Sequence, residues 1–232
     1  MTTITVKIAE IRQETPTVII LKIDLLGQSF NYKPGQWIDC YADIEGERPV
    51  VGYSLASSPT TKGYIELAVK TSDNSVTRFV HEEAEAGDVL YIEGGQGDVF
   101  YDSGMGDKVV LAGAGIGVAP LMGILRFIDE ATDASVQMFH SASSVDELIY
   151  IDELKERAAR NDRVSYYPTV SREASVDGID KGRITGEMFE RCGIDYDSVF
   201  YLSGPGEMIP DLKEFLVGKG VSVDRIRYEM WW

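Results

Sequence analysis

Lys108-Val109-Val110-Leu111-Ala112-Gly113-Ala114-Gly115-Ile116-Gly117-Val118-Ala119-Pro120-Leu121-Met122 decides how the chain is read. The apolar run Val109 to Ala112 has no polar face, as expected of a strand buried on both sides of a parallel sheet. It enters three glycines and then an amphipathic helix pattern from Val118 to Glu130. Glycines let an anion approach the backbone, and the N–H groups and dipole at the following helix start favour negative charge. Alone, the turn also fits a tight strand-to-helix connection in any parallel sheet.

Downstream the same rhythm repeats. Strand patterns at Ser135 to His140, Arg163 to Val170 and Ser198 to Leu202 alternate with helix patterns at Asp146 to Arg160, Gly186 to Arg191 and Gly206 to Val217. A last strand lies around Ile226. This alternation predicts a parallel sheet covered by helices on both sides.

Upstream the pattern differs. Ile4 to Ile11, Thr17 to Leu25, Trp37 to Tyr41, Val50 to Ala56, Tyr64 to Lys70 and Val89 to Glu93 are short β-branched or aromatic runs broken by turn residues. They predict a small antiparallel barrel or sandwich. One helix interrupts it: Ser75 to Glu85 places Val76, Phe79, Val80 and Ala84 on one face. Gly104 and Gly106 read as a linker, giving two domains, 1–103 and 104–232.

Composition narrows the chemistry. With 232 residues and 44% hydrophobic content the chain can bury a sizeable core. Its 22 basic residues stand against 38 acidic ones, and the formal charge of -16 repels nucleic acid and anionic membrane surfaces. Two cysteines, Cys40 and Cys192, are too few for an iron–sulfur or zinc cluster, so any redox chemistry requires an organic cofactor. His81 and His140 lack metal-ligand spacing, and no metal is expected. No apolar run reaches the roughly 18 residues of a membrane span, and the start has no leader pattern, so a cytoplasmic protein is expected.

The glycine turn Gly113 to Pro120 resembles the pyridine-nucleotide turn of the ferredoxin–NADP reductase-like flavoproteins, and further blocks follow in that superfamily's order. Pro34-Gly35-Gln36-Trp37 is similar to its PGQ strand start, and Gly52-Tyr53-Ser54-Leu55-Ala56-Ser57-Ser58-Pro59 to its flavin block. Glu66 to Lys70 with Ser75-Val76-Thr77 resembles the segment that holds the flavin phosphates. Gly87-Asp88 through Gly94 to Phe100 resembles the close of the barrel. Later blocks are Val170 to Glu173, Gly182 to Thr185, Ser203-Gly204-Pro205 with Met208, and Tyr228 to Trp232. The details VVGYSLASSP, ELAVK and DELIY look most similar to the branch called oxidoreductase NAD-binding domain-containing proteins.

The resemblance implies a flavin-binding β-barrel followed by a nucleotide-binding α/β domain, with FAD as cofactor and NADPH or NADH as hydride donor. Tyr53 would support the isoalloxazine, Ser54 would offer its hydroxyl near N5, and Leu55 would follow them. Val69, Lys70, Ser75, Val76 and Thr77 would hold flavin phosphates, with N-capping by Ser75 an equally simple role for that residue. Gly113, Gly115, Gly117, Pro120, Gly204 and Pro205 would take the nucleotide, and Ser203 would lie beside its reacting carbon. Glu229 and Trp231 would close the flavin site, making Ser54, Ser203 and Glu229 the implied catalytic residues. Ser171, Arg172 and Arg183 match positions that hold a 2′-phosphate, and they tilt the expectation toward NADPH.

Two positions depart from the pattern. Val51 stands where the commonest flavin block has arginine, with Arg48 the nearest alternative; Ser203 stands where the superfamily usually has cysteine. The expected activity is electron transfer from NAD(P)H through FAD to a separate acceptor protein, such as a ferredoxin-type carrier or an oxygenase. A free flavin or quinone reductase and a non-catalytic nucleotide-sensing module are the alternatives.

Overall fold

The computed structural model describes residues 3–176 and 178–231, of which the Trp231 side chain lies outside the described part. Its first half is a six-stranded antiparallel sheet built from β1 (Ile4–Thr15), β2 (Val18–Asp24), β3 (Trp37–Tyr41), β4 (Val50–Ser54), β5 (Tyr64–Lys70) and β6 (Val89–Gln96). The order is β4-β3-β6-β1-β2-β5, and an isolated bridge between Leu55 and Leu67 brings the two edges together into a barrel. Alternation turns Val6, Ile8, Leu21, Ile23, Ile38, Leu67 and Leu90 inward to form one core. The helix α1 (Ser75–Glu82) packs Val76 and Val80 on this core. It ends three residues before the sequence pattern suggests, because the amides of Glu83 and Ala84 both return to the Phe79 carbonyl.

The second half is a parallel sheet of β7 (Lys108–Ala114), β8 (Ser135–Ala142), β9 (Val164–Val170), β10 (Asp180–Lys181), β11 (Val199–Pro205) and β12 (Ile226–Trp231), in the order β10-β9-β8-β7-β11-β12. One face carries α4 (Gly186–Arg191) and α5 (Met208–Gly218) over Val110, Phe139, Phe200 and Leu202. The other carries α2 (Val118–Ala131) and α3 (Ile151–Arg160) over Leu111, Met138 and Tyr201. That second core also contains Val18, Ile20, Ala56 and Ala68 of the barrel, so the two sheets share one apolar interior.

The helix expected from Asp146 onward begins later. A short 3-10 turn occupies Val145–Glu147, and Tyr150 then adopts a left-handed φ of 58° before α3 starts. The amide of Tyr150 donates to a Glu14 carboxylate oxygen at 2.6 Å, a tertiary contact that local periodicity does not report. No described helix is long and apolar enough to cross a membrane.

Candidate cofactor and nucleotide site

Tyr53 and Ser54 end β4, where pairing with Ile38 and Trp37 of β3 fixes their positions. Both are nearly buried, and they open onto a hollow of about 170 Å³ that Val51, Lys70, Thr77 and Ile116 also line. The Tyr53 and Thr77 hydroxyls lie 2.8 Å apart, tying the ring to the start of α1. Burial pushes the Tyr53 phenol well above its ordinary range, so it remains a neutral hydroxyl.

The cap of α1 is Asn74, not Ser75. The Asn74 side chain accepts from the amides of Val76 at 2.9 Å and Thr77 at 3.3 Å. Asn74 has extended backbone angles, whereas Ser75 is already helical and its hydroxyl cannot reach those amides from inside the turn. The signal was in the sequence, since asparagine is a strong cap and stands one residue earlier. The first turn contains no acidic residue, so the positive end of the helix dipole is left for an external anion. With Lys70 and Ser72 lining the same hollow, this donor set suits a flavin phosphate. Leu55, Val69 and Val76 are fully buried in the barrel core, which leaves only their backbone for such a group.

A larger cleft of about 610 Å³ separates the barrel from the C-terminal ends of the parallel strands. Gly115, Ser171, Arg172, Arg183, Gly204 and Pro205 line it. The glycines of the turn have different reasons to be glycine. Gly115 has φ of 56° and open space where a Cβ would stand, so its backbone faces the cleft. At Gly117 a Cβ would fall 2.5 Å from the Ser203 carbonyl oxygen, and at Gly113 it would fall 2.8 Å from Leu121 Cδ1. Those two permit close packing of the turn on β11 and of α2 on β7. Pro120 is buried in the first turn of α2, which again carries no acidic residue.

Ser171 and Arg172 are held at the cleft by their amides, which donate to the Ala142 and Ser143 carbonyls at 3.0 Å each. Arg172 is exposed and makes no ion pair among the described residues. Arg183 pairs with Glu207 at 3.2 Å, with both side chains largely in solvent. Several cleft residues, among them Thr17, Ser141, Ser143, Glu147 and Glu207, carry no motif that marks them in the sequence; Glu147 accepts from the Thr15 and Thr17 hydroxyls at 3.1 and 2.7 Å, across the barrel boundary.

Ser203 is buried on β11, paired in register with Gly113 on one side and Glu229 of β12 on the other. The Glu229 carboxylate oxygen Oε2 is buried without a hydrogen-bond partner among the described residues, and burial pushes this carboxyl up to about 7. A carboxyl oxygen left unmatched beside the turn suits a site that a ligand completes.

Arg48 does not reach the flavin hollow. Its guanidinium holds Asp43 at 2.7 and 3.0 Å and lies 3.9 Å from the centre of the Tyr91 ring, on the outer surface of the barrel. His140 is fully buried, with Nδ1 2.9 Å from the Tyr166 hydroxyl, and burial holds its pKa down to about 3. His81 sits 3.0 Å from the Val69 carbonyl. Among the described residues no group of three His, Cys, Asp or Glu could hold a metal ion.

Residues 5–101 match the family model for an oxidoreductase FAD-binding domain, and residues 111–214 match that for an oxidoreductase NAD-binding domain. The chain is similar to the human oxidoreductase NAD-binding domain-containing protein 1, with 29% identity over 250 aligned positions covering 97% of this chain and 79% of that protein. It is also similar to the glycine betaine monooxygenase reductase subunit of Pseudomonas aeruginosa, at 26% identity over 86% of this chain and 56% of the subunit. Its fold matches a ferredoxin NADP+ reductase from Neisseria gonorrhoeae solved with bound FAD and NADP, with a TM-score of 0.83, 21% identity and 99% of each chain covered.

Proposed function

Because the chain belongs to the ferredoxin–NADP reductase-like flavoproteins, joining an oxidoreductase FAD-binding domain to an oxidoreductase NAD-binding domain, we propose that it works as a reductase component. In this reading it oxidises NADPH or NADH and passes electrons, through FAD, to a separate acceptor protein such as an oxygenase component or a ferredoxin-type carrier. The carrying observation is that the flavin hollow and the nucleotide cleft share two lining residues, Lys70 and Ile116. Two ligands seated there would meet.

FAD, when bound, accepts an electron pair from a nicotinamide and releases electrons one at a time. The residues of this chain would bind, orient and protect. Tyr53 offers its ring as a support, with its hydroxyl engaged by Thr77, and Ser54 offers a hydroxyl at the end of β4. The start of α1 and Lys70 take the flavin phosphates, while Gly115 and the following helix start take the nucleotide diphosphate. Ser203 supplies a compact wall beside the nicotinamide in place of a thiol. Glu229, with a carboxyl near 7, holds a proton at that wall around neutral pH. The guanidinium of Arg172, which has no ion pair among the described residues, and the hydroxyl of Ser171 favour NADPH over NADH.

In this reading residues 1–103 form the flavin domain and 104–232 the nucleotide domain, with Lys70 and Ile116 facing both ligands. The likeness to a monooxygenase reductase subunit supports an oxygenase-type acceptor. Absorbance spectra of purified protein, taken before and after anaerobic addition of each nucleotide, test the reading. A flavin spectrum that bleaches faster with NADPH than with NADH is expected; protein that neither contains nor takes up flavin, or whose flavin is bleached by neither nucleotide, overturns it.

A further inference from the structure

The two half-sites belong to different sheets, so their separation depends on whatever fixes one sheet against the other. The helix α2 starts at the nucleotide turn and runs across the flavin block of the barrel. At Gly123 in its middle a Cβ would fall 2.6 Å from the Leu55 carbonyl oxygen and 3.2 Å from that of Ser57. Glycine weakens a helix interior, and here only glycine admits the backbone approach. One turn on, Arg126 donates from Nη1 to the Ala56 carbonyl at 2.9 Å and to Glu66 at 2.7 Å, both on the barrel.

The other side of the same guanidinium holds Glu153 of α3 through Nε at 2.9 Å and Nη2 at 2.5 Å. Its carbon lies 5.0 Å from the centre of the Tyr150 ring. Burial alone would raise the Glu153 carboxyl, but Arg126 and Arg157 hold it below its ordinary value. A nearly buried arginine with all of these partners has little freedom to move. Ala56 lies two residues from Ser54, and its amide is itself bonded to the Glu66 carbonyl at 2.9 Å. Arg126 therefore grips the backbone of the flavin block and the carboxylate of the strand beside it.

We propose that Gly123 and Arg126 form a positioning key: they seat α2 on residues 55–57 and so set the distance between the nucleotide turn and the flavin face. The proposal rests on the reductase reading. Arg126 touches neither ligand site and acts through the Ala56 carbonyl and Glu66.

Two variants test it, Gly123→Ala, which keeps every charge, and Arg126→Gln, which keeps the glycine contact. With each, the rate of flavin reduction at saturating nucleotide should fall by about tenfold or more while the nucleotide KM stays within about threefold, because misplacement affects the reacting geometry more than binding. The long-wavelength absorbance of the nicotinamide against the flavin should weaken. In protein without nucleotide, hydrogen exchange at the Leu55 and Ala56 amides should accelerate. Arg126→Lys, which keeps the charge, should recover part of the rate lost in Arg126→Gln.

Wild-type rate, absorbance and exchange in the folded variants would overturn the key, as would a KM that rises in step with the loss of rate. If Arg126→Gln fails to fold, Gly123→Ala decides alone; if neither folds, the contact is a folding requirement and the positioning role falls. A wild-type protein that is not reduced at all removes the reductase reading instead, which separates the two failures.

Discussion

Glu229 sits directly beside Ser203 on the neighbouring parallel strand, with one carboxylate oxygen buried and unmatched among the described residues. The environment, and not a charged neighbour, sets its behaviour: loss of water pushes the carboxyl from 4.5 to about 7. A carboxyl whose pKa rises on folding binds its proton more tightly in the folded state. It therefore favours folding at acidic pH and loses that contribution as pH climbs from about 4.5 through about 7. Glu229→Gln should remove this part of the pH dependence. Above pH 8 the variant should melt on the order of 2 °C higher than wild type, after allowing for solvent screening of a half-buried group. Thermal melts of both proteins from pH 5 to 9 check it, and parallel curves would show that Glu229 does not titrate in this range.

The helix cap makes a second comparison. Asn74 accepts from two amides of α1, while Ser75 stands inside the first turn. Asn74→Ala should cost about 1 kcal/mol of stability and weaken FAD binding, because the same helix start is the proposed phosphate site. Ser75→Ala should change stability by no more than about 0.5 kcal/mol. Denaturant unfolding and flavin titration of the two variants would settle which residue orders the turn.

The two architectures were readable because each rests on a strong local rhythm. The short β-branched and aromatic runs broken by turn residues in the first half, and the unbroken apolar run of β7, leave few other folds. The start of α3 was not readable, because it depends on the left-handed turn at Tyr150 and the Glu14 contact, which joins residues 136 positions apart. The same limit applies to the site. Gly113, Gly115 and Gly117 look alike in a motif, yet only Gly115 lines the cleft, and the others are glycine because α2 and β11 press against them. Arg48 showed the converse: it is the arginine nearest to Val51 in sequence, but a strand at about 3.3 Å per residue sets the two roughly 10 Å apart, and Asp43 and Tyr91 hold its guanidinium away from the flavin block.

That difference among the glycines is itself testable. Gly115→Ala meets no atom, so its cost is the left-handed φ, roughly 1–2 kcal/mol, together with a methyl in the nucleotide cleft. Gly117→Ala drives a Cβ into the Ser203 and Gly204 backbone, which cannot swing aside as a side chain would. Gly115→Ala should therefore retain flavin and raise the nucleotide KM by about tenfold or more, with modest loss of stability. Gly117→Ala should lose about 2 kcal/mol or more of stability and disturb the Ser203 position as well. Melting temperature and nucleotide titration measured side by side would distinguish them; equal effects on both readouts would contradict the separate roles.

In the proposed site, Arg172 is the residue that would choose between the two nucleotides. Arg183 is already paired with Glu207, whereas Arg172 reaches into the cleft edge with no ion pair among the described residues. If Arg172 and Ser171 hold a 2′-phosphate, Arg172→Ala removes one or two charge-assisted hydrogen bonds of about 1.5–3 kcal/mol, a ten- to hundredfold rise in KM for NADPH. NADH lacks that phosphate and should be almost unaffected. Breaking the neighbouring pair with Glu207→Gln should act in the opposite direction, because it frees the Arg183 guanidinium and removes a negative charge from the cleft rim. The net charge of -16 adds a background repulsion that salt screens beyond about 10 Å, so both comparisons belong at one fixed ionic strength. Steady-state kinetics with the two nucleotides decide the matter: equal changes in KM for NADH and NADPH on losing Arg172 would place it outside the phosphate site and remove the basis for an NADPH preference.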